Sequence, residues 1–407
     1  MICRGCKEGE IELLMDFCNQ PIAHNLLNST SSCFPSYPLE IGVCTACGLS
    51  QIIRPIPALK LYENYFTLSS WKNQPHVDRL IWLIQNLVGV GHQDSICEIG
   101  CNDGSFLESL KKAGYQAAYG IEPTSDAWSE AANRGLDVEQ GFFHLQKASE
   151  IVDNRGRPKM VVSRQVLEHI EDLNEFMLGI SELLEKGDTL LIEIPDSRTN
   201  MNLFDFAFWE EHVNNFTERT SRILLERHGF LVAFSEQIVF SGNTLVLLAV
   251  KVGRPDRTMR KGLSQEVDRE IFRARRLRNL WPEFRMRYRS YLEKVSDRSG
   301  NIGIFGCGAR SSTIANFIGI NDYVKCYIDD QIEKQGKFVP GNLLEICPRQ
   351  EIENLNIRHI ILGVNAENEH KVIESNRLSD RLISWDSVLP PSRYLPSFWT
   401  EMIGFNA

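Results

Sequence analysis

Asp94-Ser-Ile-Cys-Glu-Ile-Gly-Cys-Asn-Asp-Gly-Ser-Phe-Leu-Glu108 is the stretch on which the fold of this chain turns. Its run from Ile96 to Ile99 has the length and apolar character of a buried strand. Gly100 to Gly104 reads as a turn where the backbone bends sharply and can approach a ligand closely. Ser105-Phe-Leu-Glu then opens a helix, whose first N–H groups lack intrahelical partners. A dinucleotide loop calls for G-x-G-x-x-G at this point. The chain instead has E-x-G-x-N-x-G, with a carboxylate, Glu98, on the strand. The plain alternative is an ordinary βα turn in some α/β protein.

The pattern resembles motif I of the class I S-adenosylmethionine methyltransferases. That cofactor has a free amino group and a sulfonium but no pyrophosphate. A carboxylate and turn carbonyls therefore suit its cationic methionine end, where a phosphate binder would present mainly N–H groups. The resemblance implies cofactor contacts at Glu98, Gly100, Asn102 and Gly104.

Working outward, Ala117-Ala-Tyr-Gly-Ile-Glu122-Pro123 predicts a second strand ending in an acidic residue. Such a residue, about 20 positions past the glycine turn, can bind ribose hydroxyls; a solvated strand-end glutamate is the alternative. Val138 to Phe143 predicts a short strand and turn where an adenine stacks at Phe142. Met160-Val-Val-Ser and Thr189 to Pro195 are further buried strands, with a helix over Leu173 to Leu184 between them. Alternating strands and helices predict a parallel doubly wound sheet. Its ligand belongs beyond the carboxyl ends of the strands, where Gly100, Glu122, Phe142 and Gln165 converge.

The whole chain sets bounds on this reading. Its 407 residues suffice for two or three domains. A net charge of −9 argues against general nucleic-acid binding. No apolar run approaches the ~20 residues needed to cross a membrane, and Met1-Ile-Cys-Arg-Gly-Cys has no apolar signal segment. Eleven cysteines, several inside predicted strands or turns, point to a reducing, cytoplasmic setting.

Cys3-x-x-Cys6 and Cys44-x-x-Cys47 form two knuckles separated by residues 7–43. Four thiolates brought to one point meet the tetrahedral requirement of structural zinc. Cys18 and Cys33 lie in the spacer as competing ligands, and a redox dithiol is the other reading. A segment this small needs such a staple to fold.

The stretch Tyr62 to His76 reads as an aromatic-rich linker, and Arg79 to Val88 as a helix leading into the organising strand. Phe204 to Thr220 is unusual, with Glu211 and His212 side by side among aromatics. A histidine near a carboxylate can serve as a general base, or simply pack. Gly229 to Val250 predicts two or three strands closing the central sheet. Lys251 to Asn301 predicts one long helix or a bent pair with a solvated charged face. Asn301-Ile-Gly-Ile-Phe-Gly306-Cys-Gly308-Ala-Arg310-Ser311 starts a second strand, glycine turn and helix, and Tyr323 to Asp330 and Ile357 to Val364 follow as strands. A pyridine-nucleotide site, a site for the nucleotide part of a substrate and an empty scaffold all fit this Rossmann-like unit.

Taken in order, the cysteine knuckles, the E-I-G-x-N-D-G loop, the Glu-His pair and the G-x-G unit resemble the sugar C-methyltransferases. Those enzymes make branched-chain deoxysugars from nucleotide-linked 4-keto sugars. The likeness spans essentially the whole chain. It implies an α/β protein with a zinc-binding domain (1–70), a methyltransferase domain (71–252) and linking helices with a C-terminal Rossmann-like domain (253–407). It also implies S-adenosylmethionine and structural zinc as cofactors, and a small-molecule substrate, a sugar nucleotide, held partly by Trp209, Gly306, Gly308 and Arg310. The family's Y-x-E-H falls on Trp209-Glu-Glu211-His212, which makes His212 the base and Glu211 its support. V-L-x-H falls on Val166-Leu-Glu-His169, and an active-site tyrosine on Tyr65, with Tyr62 as rival. Trp209 departs from the family tyrosine; an indole N–H donates a hydrogen bond but cannot relay a proton. Transfer to oxygen or nitrogen, a nicotinamide-dependent oxidoreductase using the C-terminal turn, and a non-catalytic scaffold are the alternatives.

Overall fold

The computed structural model describes residues 1–61, 74–253, 264–378 and 383–404. The first sheet opens with a long antiparallel pair, β1 (Ile11–Pro21) and β2 (Ser36–Cys44), followed by the short β3 (Ser50–Ile52). Leu39, Ile41 and Val43 repeat every second residue along β2 and are all buried, which fixes the inward face of this sheet.

Five parallel strands then build the core of the central domain: β4 (Ile96–Ile99), β5 (Ala118–Glu122), β6 (Val138–Gln140), β7 (Met160–Arg164) and β8 (Thr189–Pro195). The chain next leaves this sheet, and β9 (Asn214–Asn215) pairs antiparallel with β3. It returns as a hairpin of β10 (Phe230–Val239) and β11 (Asn243–Lys251). The hairpin has two strands, which resolves the expectation of two or three over Gly229 to Val250. The resulting order is β10-β11-β8-β7-β4-β5-β6, and β11 runs antiparallel to both of its neighbours. Every residue of β4 is buried, Glu98 included, because helices cover a parallel sheet on both faces.

A single helix, Ser264–Ser299, follows, 36 residues long with Pro282 inside it. Val267, Ile271, Ala274, Leu277, Phe284, Tyr288, Leu292 and Val295 recur at intervals near a helical period and are buried. This stripe packs into one core cluster with Ile41 of the first sheet, Phe204 and Phe206 of the central loop and Ile302 of the last sheet. The ring of Phe17 also stacks on that of Phe317, with centroids 3.8 Å apart. The opposite face carries arginines paired at the surface, such as Arg275 and Arg278 with Glu12.

The last sheet is wholly parallel, with β12 (Asn301–Phe305), β13 (Val324–Ile328), β14 (Ile346–Cys347), β15 (Ile357–Leu362) and β16 (Ser384–Ser387) in the order β14-β13-β12-β15-β16. The architecture is α/β in three parts, as the sequence predicts. Among the described residues no helix is long and apolar enough to cross a membrane.

Candidate active site

Cys3, Cys6, Cys44 and Cys47 are all buried, and their sulfur atoms lie within 4.8 Å of one another. Cys3 Sγ to Cys47 Sγ measures 3.7 Å, and Cys6 Sγ to Cys44 Sγ 3.6 Å. A tetrahedron of sulfurs ~2.3 Å from zinc has edges of about 3.8 Å, so the cage fits the ion. Gln51 Nε2 donates to Cys3 Sγ at 3.3 Å and the Ala46 N–H to Cys44 Sγ at 3.4 Å, as second-layer donors to metal-bound thiolates do. Cys18 and Cys33 are exposed and stand outside the cage.

The turn after β4 needs its glycines. Gly100 has φ +73°, and a Cβ there would meet Val166 Cγ2 at 2.4 Å; Gly104 has φ +76° and would meet Leu136 Cδ1 at 2.3 Å. Asn102 adopts φ +50° and Gln165, at the end of β7, φ +52°. Asparagine tolerates this region, whereas a glutamine held there is the kind of outlier that gathers at functional sites. Gln165 is locked by Nε2 donating to Glu193 Oε1 at 3.0 Å.

Glu122 caps the same turn. Its carboxylate accepts from the Asn102 N–H at 2.9 Å and from the Thr124 N–H at 2.8 Å. Glu98 lies beneath, with Oε1 3.6 Å from Arg164 Nη1 and Oε2 buried without a hydrogen-bond partner. Burial pushes Glu98 up to about 8 against the pull of Arg164. Its neighbour Glu193 is held down to about 2: burial opposes this, but Arg164 and His76 prevail. An orphaned carboxylate oxygen under a glycine turn fits a cationic amino group. Pro123 and Phe142 line the same wall, Phe142 with its ring exposed.

Across from this wall stand the glycine turn of the last sheet and the loop at Ala23 and His24 of the first. Together they enclose a cleft of about 1410 Å³. His212 sits in it, its ring centroid 3.7 Å from that of Trp209 and 4.9 Å from that of His169, which meets it edge-on. Burial, with His169 and Arg310 nearby, pushes His212 well below the ordinary imidazole value. A neutral imidazole of this kind can accept a proton. Glu211 turns away from His212: its Oε1 lies 2.8 Å from His24 Nδ1. Glu210 accepts from the Ala23 N–H at 2.6 Å, and burial beside Glu211 pushes it up to about 7. Arg310 forms a buried ion pair with Asp205 and donates to Asn365 Oδ1 at 3.0 Å. Gly306, Gly308 and Arg310 line the cleft. Tyr65 and its rival Tyr62 lie outside the described residues.

Three family models match in tandem: a "Putative zinc binding domain" over residues 3–62, a methyltransferase domain over 71–233 and a C-methyltransferase C-terminal domain over 242–373. The C-methyltransferase NovU of Streptomyces niveus is 24% identical over 393 residues, which is 92% of this chain and 93% of that protein. The chain belongs to the zinc-containing, S-adenosylmethionine-dependent C-methyltransferases. Among solved structures, magnesium protoporphyrin IX methyltransferase from Synechocystis PCC 6803 with bound S-adenosylmethionine is 18% identical, covers 47% of this chain and 88% of its own, and has a TM-score of 0.33. An S-adenosylmethionine-dependent methyltransferase from Archaeoglobus fulgidus is 16% identical, with 43% and 94% coverage and a TM-score of 0.35.

The methyltransferase and zinc-binding family models, with the buried four-cysteine cage, make S-adenosylmethionine the methyl donor of this C-methyltransferase and zinc its structural metal. The oxidoreductase alternative is not favoured. Three residues of the cleft escaped sequence reasoning. His24 is a lone histidine in the knuckle spacer, without a spacing signal. Arg164 is a charge ending an apolar strand, which could have marked it. Glu168 is the variable position of V-L-x-H and is 1% exposed.

Proposed function

We propose that this C-methyltransferase methylates the carbon next to the carbonyl of a nucleotide-linked keto sugar, with His212 as the general base. The observation that carries the reading is the half-buried His212 ring in the cleft, 3.7 Å by centroid from Trp209 and 4.9 Å from His169, in surroundings that push it below the ordinary imidazole value. Carbon methylation requires a base beside an acidified C–H bond and a group that stabilises the resulting oxyanion. S-adenosylmethionine, when bound at Glu98, Gly100, Asn102, Gly104, Glu122, Pro123, Phe142 and Gln165, supplies an electrophilic methyl group. His212 Nδ1 or Nε2 takes the proton, while Trp209 holds the ring by packing against it at a tilt of 37°. Glu211 steadies the loop through His24 rather than by touching His212. On the opposite side, Arg310, Lys334, Arg349 and Lys371 line the cleft beside Gly306 and Gly308. Arg310, Lys334 and Arg349 are paired with Asp205, Asp329 and Asp330, so Lys371 and the helix N-terminus at Ala309 are the groups that suit the phosphates of a sugar nucleotide.

The test is product analysis. The purified protein is incubated with S-adenosylmethionine and 4-keto-6-deoxy sugars linked to thymidine, uridine, guanosine or cytidine diphosphate. The reading expects one methyl group added at a ring carbon. A methyl group on oxygen or nitrogen contradicts it.

A further inference from the structure

Glu168 takes no part in the chemistry above, yet it lines the cleft from the one-turn helix Leu167–His169. Its side chain is 2% exposed, and neither carboxylate oxygen has a hydrogen-bond partner. A buried carboxyl kept only for packing would be hydrogen-bonded, so this one is suited to a group that enters from outside. Two half-buried imidazoles stand beside it. Glu168, His169 and His212 each offer one ligating atom, and the three atoms lie within 4.8 Å of one another. Asn214 of β9 holds the turn that carries two of them, donating from Nδ2 to Ile170 O at 2.7 Å and to Leu167 O at 3.4 Å.

His169 Nε2 lies 3.9 Å from Glu168 Oε1, too far for a hydrogen bond. The gap is close to the ~3.4 Å that separates two donors each about 2.1 Å from one tetrahedral ion. One ring nitrogen of His169 bonds to the backbone of Glu211. Such a bond fixes the tautomer and orientation of a ligating histidine and leaves its other nitrogen for the metal. We propose that Glu168, His169 and His212 form a second metal site, separate from the cysteine cage, which takes a divalent transition-metal ion and blocks the enzyme. Two imidazoles and one carboxylate suit first-row divalent ions such as zinc, cobalt and nickel. The bound ion occupies the lone pair of His212, so the ring can no longer take a proton from the substrate carbon. With three ligands against the four thiolates of the cage, the site fills only when metal is supplied.

The blocking role rests on His212 as the base, whereas the binding itself does not, and the experiment separates the two. Cobalt(II) is added to the full-length, zinc-loaded protein and followed by visible absorption and calorimetry. One cobalt per chain is expected, with the spectrum of nitrogen and oxygen ligands. The sulfur-to-metal charge-transfer band of cobalt in the cysteine cage should be absent. Glu168→Gln should weaken binding by roughly 10-fold or more, and His169→Gln likewise; calorimetry with S-adenosylmethionine shows that each variant is folded. With the sugar-nucleotide panel, cobalt or zinc should stop wild-type turnover, and a chelator too weak to strip the cage should restore it. Glu168→Gln should turn over like wild type without added metal and need roughly 10-fold more of it to be inhibited. No bound cobalt, cobalt in the cage only, or equal affinity in wild type and both variants overturns the metal site. Metal bound by these residues with turnover unchanged overturns the blocking role, and with it His212 as the base. Methylation at oxygen or nitrogen by the wild type overturns the carbon-methylation reading and leaves the metal site standing.

Discussion

His24 Nδ1 lies 2.8 Å from Glu211 Oε1, so the sheet that bears the cysteine cage reaches into the loop that carries His212. Burial disfavours the charged imidazole, but Glu211 outweighs it and raises His24 above its ordinary value. A raised histidine contributes stability that is complete below about pH 6.5 and is lost as pH rises through the raised value. His24→Ala should therefore lower Tm most in mildly acidic buffer, by the equivalent of about 1–3 kcal/mol, since Glu211 is left buried without its partner. The deficit should shrink as pH rises. Thermal melts of both proteins across pH measure it, and a deficit that is constant with pH goes against this pairing.

One zinc per chain is expected from elemental analysis of protein purified without added metal. Cys44→Ser with Cys47→Ser should remove it and unfold the first sheet, because metal binding and folding are coupled in such cages. Loss of zinc should also depress turnover, through the contacts of Ala23 and His24 with Glu210 and Glu211. Retained zinc in the double variant contradicts the cage.

Glu98 holds its proton at neutral pH because burial raises it to about 8. A cationic methionine end settling on Oε2 favours the carboxylate, so binding of S-adenosylmethionine should release protons below about pH 8 and progressively fewer above it. Calorimetry in buffers of differing ionisation enthalpy reads this release. Glu98→Gln should abolish it and weaken binding by about 10-fold or more, on the scale of one hydrogen bond to a charged group.

Gly100→Val should eliminate S-adenosylmethionine binding. The added Cβ would overlap Val166 Cγ2 at 2.4 Å in a backbone conformation that a β-branched residue disfavours. Calorimetry with both S-adenosylmethionine and NAD checks it; tight NAD binding by the wild-type protein would revive a role for the C-terminal turn in redox chemistry.

Much of this was legible in residue order. Gly100 and Gly104 announced their turn because their conformations have few other occupants, and four cysteines in two knuckles have few uses besides a metal. The buried strands flanking them showed as apolar runs. What remained hidden was long-range. The pairing of Asn214-Asn215 with Ser50-Gln51 carries no local signal, so the loop over Phe204 to Thr220 read as part of the central domain. The partner of Glu211 was equally invisible: His24 lies far off in sequence, and adjacency pointed to His212 instead. Glu168, the variable position of V-L-x-H, carried no sequence signal of its burial.

The central claim is that His212 removes a carbon-bound proton, and hydrogen exchange tests it most directly. The protein is incubated in deuterated water with a nucleotide-linked 4-keto-6-deoxy sugar and S-adenosylhomocysteine in place of the methyl donor, and the sugar is followed by mass spectrometry. Burial holds His212 well below the ordinary imidazole value, so exchange should rise to a plateau at acidic pH and be fully developed at neutrality. Wild type should incorporate one deuterium beside the carbonyl, and His212→Ala should bind both ligands yet exchange ~10²-fold more slowly. Undiminished exchange in His212→Ala would contradict the account.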